Sequence, residues 1–151
     1  MLLLDAGLAW LHFVFVFLLV GVIVAEAYLL RLRVDANVAR LILRVDLFYG
    51  VSSVLIILAG VARVIWGVKG WEYYQHQPFF WAKMVTFAVI GLISIAPTRT
   101  FMRWGKAANA NPDLVIAEDE VRRVRRLVMG EVHLLAVVAL FAALMARGIG
   151  G

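Results

Sequence analysis

The sequence predicts an all-α fold, a polytopic membrane bundle of four helices that forms a single transmembrane domain over residues 1–151. The chain is 64% hydrophobic and 17% charged, with a mean hydropathy of +0.93, whereas an average soluble domain is about half apolar and a quarter charged. Long apolar stretches recur along it, and none alternates with the period of two that membrane-barrel strands show. This composition excludes an ordinary cytosolic enzyme and a disordered chain.

Four apolar stretches approach the roughly 20 residues that cross a bilayer as a helix. The first covers about residues 6–30, and His12 is its only ionisable residue between Asp5 and Glu26. We interpret it as a retained helix rather than a signal peptide, because its start is acidic and its apolar run is long. The remaining spans cover about residues 41–66, 78–98 and 127–146; the third contains Lys83, and the fourth contains Glu131 and His133.

The segment 99–126 between the last two spans is predicted to be a cytoplasmic loop and helix. Residues 109–113 (Asn-Ala-Asn-Pro-Asp) are typical of a turn, with Asp113 as the expected N-cap of the helix that follows. Acidic residues 118–120 precede four arginines in the next six positions, an order that suits the helix dipole. We therefore expect one helix to run from this segment into the fourth span.

Basic residues predict the orientation of the bundle. Eleven of the fifteen fall on one side, ten in the segments after the first and third spans and Arg44 just inside the second span: Arg31, Arg33, Arg40, Arg44, Arg99, Arg103, Lys106, Arg122, Arg123, Arg125 and Arg126. By the positive-inside rule these segments face the cytoplasm, and both termini face the outer, periplasmic side. The predicted location is the bacterial inner membrane, as a multi-pass protein.

Charge and cysteine content limit the partners. The net charge of +5 would suggest nucleic acid in a soluble protein, but here basic loops beside membrane helices indicate contact with anionic lipid. We therefore expect membrane lipid as a partner and no nucleic acid, with a homo-oligomer or a larger membrane complex as a further expectation. The chain has no cysteine, which excludes disulfides, thiolate metal sites and iron–sulfur clusters.

Ionisable residues inside the spans predict two layers, since such residues are costly in a membrane and usually face protein or water. Glu26 and Asp46 form a layer near the cytoplasmic side, where we expect them to pair with Arg31, Arg40 or Arg44. The opposite layer holds five residues at similar depth, His12, Arg63, Trp66, Trp81 and Lys83. Each layer either has a structural role in holding the helices together or forms a functional site.

The outer layer contains the parts that a b-type haem needs in a helix bundle, namely an axial imidazole and cations for the propionates. The hypothesis assigns His12 as a metal ligand, Arg63, Trp81 and Lys83 as cofactor-binding residues, and His133 as a second candidate ligand. His133 has an estimated depth nearer the membrane centre, and it also shares a helix face with Met129, a nitrogen–sulfur pair that suits copper.

Three sequence anchors carry a family resemblance over nearly the whole chain: His12, the segment Phe80-Trp81-Ala82-Lys83, and the segment Gly130-Glu131-Val132-His133. Their layout resembles the bacterial four-helix superfamily that includes the HemJ-type protoporphyrinogen oxidase and the CopD-type copper-resistance protein, and most closely an uncharacterised family within it. HemJ proteins have an early histidine, a Trp and a Lys opening the third helix, and an Asn-Glu-x-Pro motif in the last. Here Ser94 stands where HemJ has a histidine, and His133 stands in place of the proline.

This resemblance implies haem or porphyrin binding with a redox or electron-transfer role, as in a membrane oxidoreductase of the HemJ type. Three alternatives remain open from the residues alone: a non-enzymatic transporter, a copper-handling protein, and an accessory membrane subunit. No Gly-rich phosphate loop or hydrolytic triad is present to suggest nucleotide or hydrolase chemistry.

Overall fold

The computed structural model describes residues 2–149 and is built from helices. Four are long: α1 (Leu2–Leu29), α2 (Ala36–Trp66), α4 (Pro78–Ala110) and α5 (Glu118–Ala146); α3 (Gly70–Gln75) is a short helix between α2 and α4. Each long helix is apolar and long enough to cross a membrane. Within residues 2–149 there is no strand, only an isolated bridge between Asp35 and Val115. The predicted all-α bundle with four membrane-length helices is confirmed.

The helices pack as a closed bundle in which α1 contacts α2, α2 contacts α4, α4 contacts α5, and α5 returns to α1. The interior is filled by large apolar side chains from all four helices, among them Leu19, Ile42, Phe101 and Val128. Many other large apolar side chains face outward, and Phe17 is 75% exposed. An outward apolar surface on helices of this length is what a lipid environment requires.

The two ends of the bundle differ in chemistry. At one end, which we call the basic end, the connections 30–35 and 111–117 meet, and the Ile116 amide donates to the Val34 carbonyl at 2.9 Å. Asp35 caps α2 there by accepting from the Asn37 and Val38 amides, both at 2.9 Å. We call the opposite end the aromatic end, because α3 and the start of α4 bring the rings of Trp71, Phe80 and Trp81 into edge-on contact there. Helix α3 was not predicted from the sequence.

The segment 99–126 differs from its prediction in detail. Helix α4 continues through Pro97 as far as Ala110, so much of this segment extends the third span rather than forming a separate element. The predicted N-cap Asp113 is wrong: α5 begins at Glu118, after Ala117, and the Asp113 amide donates to the Asn111 side chain in the preceding turn. The three acidic residues do lie in the first turn of α5, and that helix runs unbroken into the fourth apolar stretch.

Candidate functional site

Three carboxylic acids from three helices lie in the interior of the bundle. Glu26 of α1, Asp46 of α2 and Glu131 of α5 are 3%, 4% and 2% exposed; we call them the acidic cluster. Glu26 lies within electrostatic range of both other carboxyl groups, and Glu131 lies within range of Asp46. Burial of three acids together is costly and is uncommon without compensating partners.

Hydroxyl groups supply part of that compensation. The Tyr49 hydroxyl donates to Glu131 Oε2 at 3.0 Å, and the Thr98 hydroxyl of α4 donates to Asp46 Oδ1 at 2.9 Å. The cluster with these two hydroxyls therefore joins all four long helices. Two carboxyl oxygens, Glu26 Oε2 and Glu131 Oε1, are buried and have no hydrogen-bond partner in residues 2–149.

The predicted pairing of this layer with arginines is wrong. The Arg40 guanidinium donates instead to the Ala108 carbonyl at 3.1 Å and to the Asn37 side chain at 2.6 Å, while Arg31 and Arg44 are exposed. The ion pairs of the described part of the chain, Arg103–Glu120 and Arg122–Glu118, both lie at the basic end. The acidic cluster is thus held by hydroxyls and apolar packing, without a cation.

The donor set around the acidic cluster can accept, hold and pass protons. Carboxyl and phenol groups exchange protons directly with one another or with water. A divalent cation would need several oxygen ligands converging on one point. Among the residues described, no group of three or more His, Asp or Glu side chains has such an arrangement.

The predicted outer layer is assembled at the aromatic-end half of the bundle by three of its residues. The His12 ring packs against Gly60 of α2: a Cβ placed at Gly60 would lie 3.5 Å from His12 Cε1 and 3.8 Å from Nδ1. Arg63 and Lys83 both lie within electrostatic range of His12. Buried His12 Nδ1 and Arg63 Nε have no hydrogen-bond partner in the described chain.

Trp81 and His133 lie outside this group. Trp81 is half exposed, and its indole donates to the Gln75 carbonyl at 3.1 Å within the aromatic cluster at the end of the bundle. His133 is exposed, and its Nδ1 lies 2.5 Å from the carbonyl oxygen of Met129 on the preceding turn of α5. The structure therefore brings together His12, Arg63 and Lys83 but not the full predicted set.

At Nδ1 of His12 the outer layer leaves no room for a haem as it is arranged. An axial imidazole needs open space beside its coordinating nitrogen for a flat macrocycle. The unpartnered His12 Nδ1 instead faces the close contact with Gly60, which joins α1 to α2 at this level. A haem at this nitrogen would require the two helices to separate. Haem binding and metal ligation by His12 and His133 stay predictions.

A known family covers the chain. Its model, described as "Predicted membrane protein (DUF2214)", matches residues 4–150. The chain belongs to this family. The membership agrees with the four membrane-length helices and identifies an integral membrane protein. No curated protein and no solved structure matches the chain, so for this DUF2214 protein the resemblance to HemJ and CopD stays a prediction.

The sequence located Glu131 inside a span but gave it no role, and it did not single out Tyr49 or Thr98. A usable signal was present: Tyr49 is three residues after Asp46, so the two share a helix face. Thr98 lies on the α4 face that contains Ile90 and Ser94, one turn beyond Ser94. Which residues meet across helices depends on helix rotation, and spacing within one helix does not fix that.

Proposed function

We propose that this DUF2214 protein is a non-enzymatic transporter that conducts protons through the acidic cluster. The observation that carries the proposal is the pair of buried carboxyl oxygens, Glu26 Oε2 and Glu131 Oε1, that have no hydrogen-bond partner in residues 2–149. A carboxyl group kept inside a membrane without a cation partner adds nothing to packing that a leucine would not supply. Intramembrane acids of this kind are typical of proton relays in pumps and transporters.

One face of α2 supports a route from the acidic cluster towards the aromatic end. Asp46, Tyr49, Ser53, Gly60 and Arg63 follow one another at spacings of three, four, seven and three residues, which keeps them on one side of the helix. Ser53 is half-buried, and its hydroxyl donates to the Tyr49 carbonyl at 2.9 Å. Ser53, the His12 ring that packs on Gly60, and Arg63 are polar groups between which water could complete a proton path.

Between the acidic cluster and the basic end, the bundle has an open cleft. A cleft of about 580 Å³ lies between α4 and α5 and is lined by Thr100, Arg103, Asp119, Glu120, Arg123 and Val124. Val124, which lines this cleft, lies seven residues before Glu131 on α5, so the two share a helix face about 10 Å apart along its axis. Water in this cleft would therefore lie about two helical turns from the cluster, on the side of α5 that carries Glu131.

The test is proton flux in vesicles. The full chain is reconstituted into liposomes that contain a pH-sensitive dye, and a potassium gradient with valinomycin supplies the driving voltage. We expect internal acidification faster than in empty liposomes, and a fall of at least about tenfold in Glu131→Gln and Glu26→Gln, since glutamine keeps the shape but carries no exchangeable acid proton.

Glu118→Gln is the matched control, because it makes the same chemical change at a side chain that is 94% exposed at the basic end. Its flux should equal that of the wild type. Size-exclusion profiles and helical circular dichroism establish that each variant is folded. A wild-type flux no greater than that of empty liposomes would end the proposal, as would equal fluxes for Glu131→Gln and the wild type.

A haem-dependent redox function is the second hypothesis, and the observation in its favour is that an imidazole, His12, lies near two cations, Arg63 and Lys83, that could bind propionates. It predicts a Soret band in protein purified in mild detergent from haem-replete cells, and loss or displacement of that band in His12→Ala. His76→Ala is the control, since His76 is exposed in the loop between α3 and α4 and its Nδ1 lies 2.9 Å from the Glu72 carbonyl oxygen. A colourless wild-type protein would exclude this hypothesis.

A further inference from the structure

In the aromatic-end half of the bundle, the long apolar stretches of the helices contain three basic groups and no acid. Between Ala6 and Ala25 the only charged or histidine residue is His12, between Leu47 and Trp66 it is Arg63, and between Pro78 and Thr98 it is Lys83. The last helix adds none from Leu134 to Ala146. All three groups are half-buried rather than turned freely to the surface.

Helix packing places these three groups together. His12 contacts Gly60, and Arg63 lies three residues beyond Gly60, so it sits one turn nearer the aromatic end on the same face of α2. Lys83 approaches from α4, where its Nζ lies 5.1 Å from the centre of the buried Phe80 ring. Arg63 and Lys83 are within electrostatic range of each other as well as of His12.

The nearby acids have other partners. Asp5, two turns before His12 on α1, accepts from the Val68 backbone amide at 3.2 Å, and Glu72 of α3 accepts from the Gln75 side-chain amide at 2.5 Å. In the part of the chain that the structure describes, the ion pairs are both at the basic end. Arg63 and Lys83 therefore form no ion pair within the described residues, and Arg63 Nε is buried without any acceptor.

We infer that His12, Arg63 and Lys83 form a binding site for a phosphate group at the aromatic end of the bundle. Two neighbouring cations without a counter-charge are costly in a membrane, and an anion between them offsets that cost. A guanidinium presents paired N–H donors that match phosphate oxygens, and an ammonium adds a point charge. The inference rests on the basic groups alone and holds whether or not the acidic cluster conducts protons.

The depth of Lys83 in the membrane allows the phosphate to come from either of two sources. Lys83 is five residues into α4, about 8 Å along its axis, which is within reach of lipid headgroups for a long side chain. The phosphate of an anionic phospholipid could therefore enter from the side, and free phosphate could enter from the water at the same end. Both present the same oxygen atoms to the site, so the experiment is built to separate them.

The experiment measures thermal unfolding of the full chain by tryptophan fluorescence in nanodiscs of phosphatidylcholine. Inorganic phosphate is added to one sample, and phosphatidylglycerol replaces part of the lipid in another, with chloride at equal ionic strength as the reference. A ligand that binds only the folded state raises Tm. We expect a rise of roughly 2–5 °C from one of the two additions. A rise with free phosphate identifies a soluble anion as the ligand, and a rise with phosphatidylglycerol alone identifies the lipid headgroup.

Variants show whether the rise comes from this site. Arg63→Gln and Lys83→Gln should abolish it, while Lys69→Gln should retain it, because Lys69 is an exposed lysine at the same end whose Nζ lies over the Tyr73 ring at 4.2 Å. If Arg63→Gln does not fold, Lys83→Gln carries the comparison. No rise with either addition overturns the inference, and so does an equal loss in Lys69→Gln and Lys83→Gln.

Discussion

At the scale of single residues, the contribution of the buried Asp46 carboxyl to stability depends on the side chains around it. Paired with an arginine, it would stabilise the bundle as an ion pair, and removing its charge would leave a buried cation alone. The structure instead gives Asp46 a neutral partner, the Thr98 hydroxyl, and two further carboxyl groups nearby. Any negative charge at Asp46 is then repelled by its surroundings rather than attracted.

Asp46→Asn should therefore leave the free energy of unfolding unchanged or raise it by up to about 1 kcal/mol. The amide oxygen still accepts from Thr98, and a source of repulsion is removed. Thr98→Val is the complementary change, which keeps side-chain volume but withdraws the donor, and it should lower stability by about 1–3 kcal/mol. Thermal unfolding in detergent measures both. A clear loss of stability in Asp46→Asn would restore the arginine-paired picture.

At the scale of helices, α2 carries both layers, with Asp46 and Tyr49 in one and Gly60 and Arg63 in the other. Composition was enough to predict the spans, because uncharged stretches of about 20 residues have few stable alternatives to a membrane helix. The depths of His12, Arg63 and Lys83 also followed from counting residues along each helix, and the structure brings these three together.

Helix ends and contacts between helices were harder to predict. The apolar run predicted an end of the third span near residue 98, yet α4 continues through Pro97 to Ala110, since its neighbours in the bundle bury Phe101 and Trp104. Asp113 has the side chain of an N-cap, but the turn before α5 extends to Ala117. The contact between Tyr49 and Glu131 depends on how α2 and α5 are rotated about their axes and on how their apolar side chains pack. Residue spacing within one helix gives no information on either.

At the scale of the whole molecule, charged residues are distributed unequally between the basic end and the aromatic end. Eleven of fifteen basic residues lie towards the basic end. The acidic cluster lies towards the same end, and the three basic groups His12, Arg63 and Lys83 lie in the other half. A proton driven inward by the membrane potential would pass from the basic groups to the acids. Orientation thus decides which end of the proposed proton route faces the periplasm.

The positive-inside rule predicts the basic end in the cytoplasm and both termini outside. Because the chain has no cysteine, single cysteines report location without background. Lys69→Cys at the aromatic end and Lys106→Cys near the basic end both replace exposed lysines. A membrane-impermeant maleimide added to spheroplasts, whose outer membrane is opened, should label Lys69→Cys, whereas Lys106→Cys should react only after the inner membrane is permeabilised.

A C-terminal alkaline phosphatase fusion should be active, because the same orientation places the C-terminus in the periplasm. Labelling of Lys106→Cys with the inner membrane intact would reverse the orientation, turn the proposed phosphate site towards the cytoplasm, and place the acidic cluster nearer the periplasmic side.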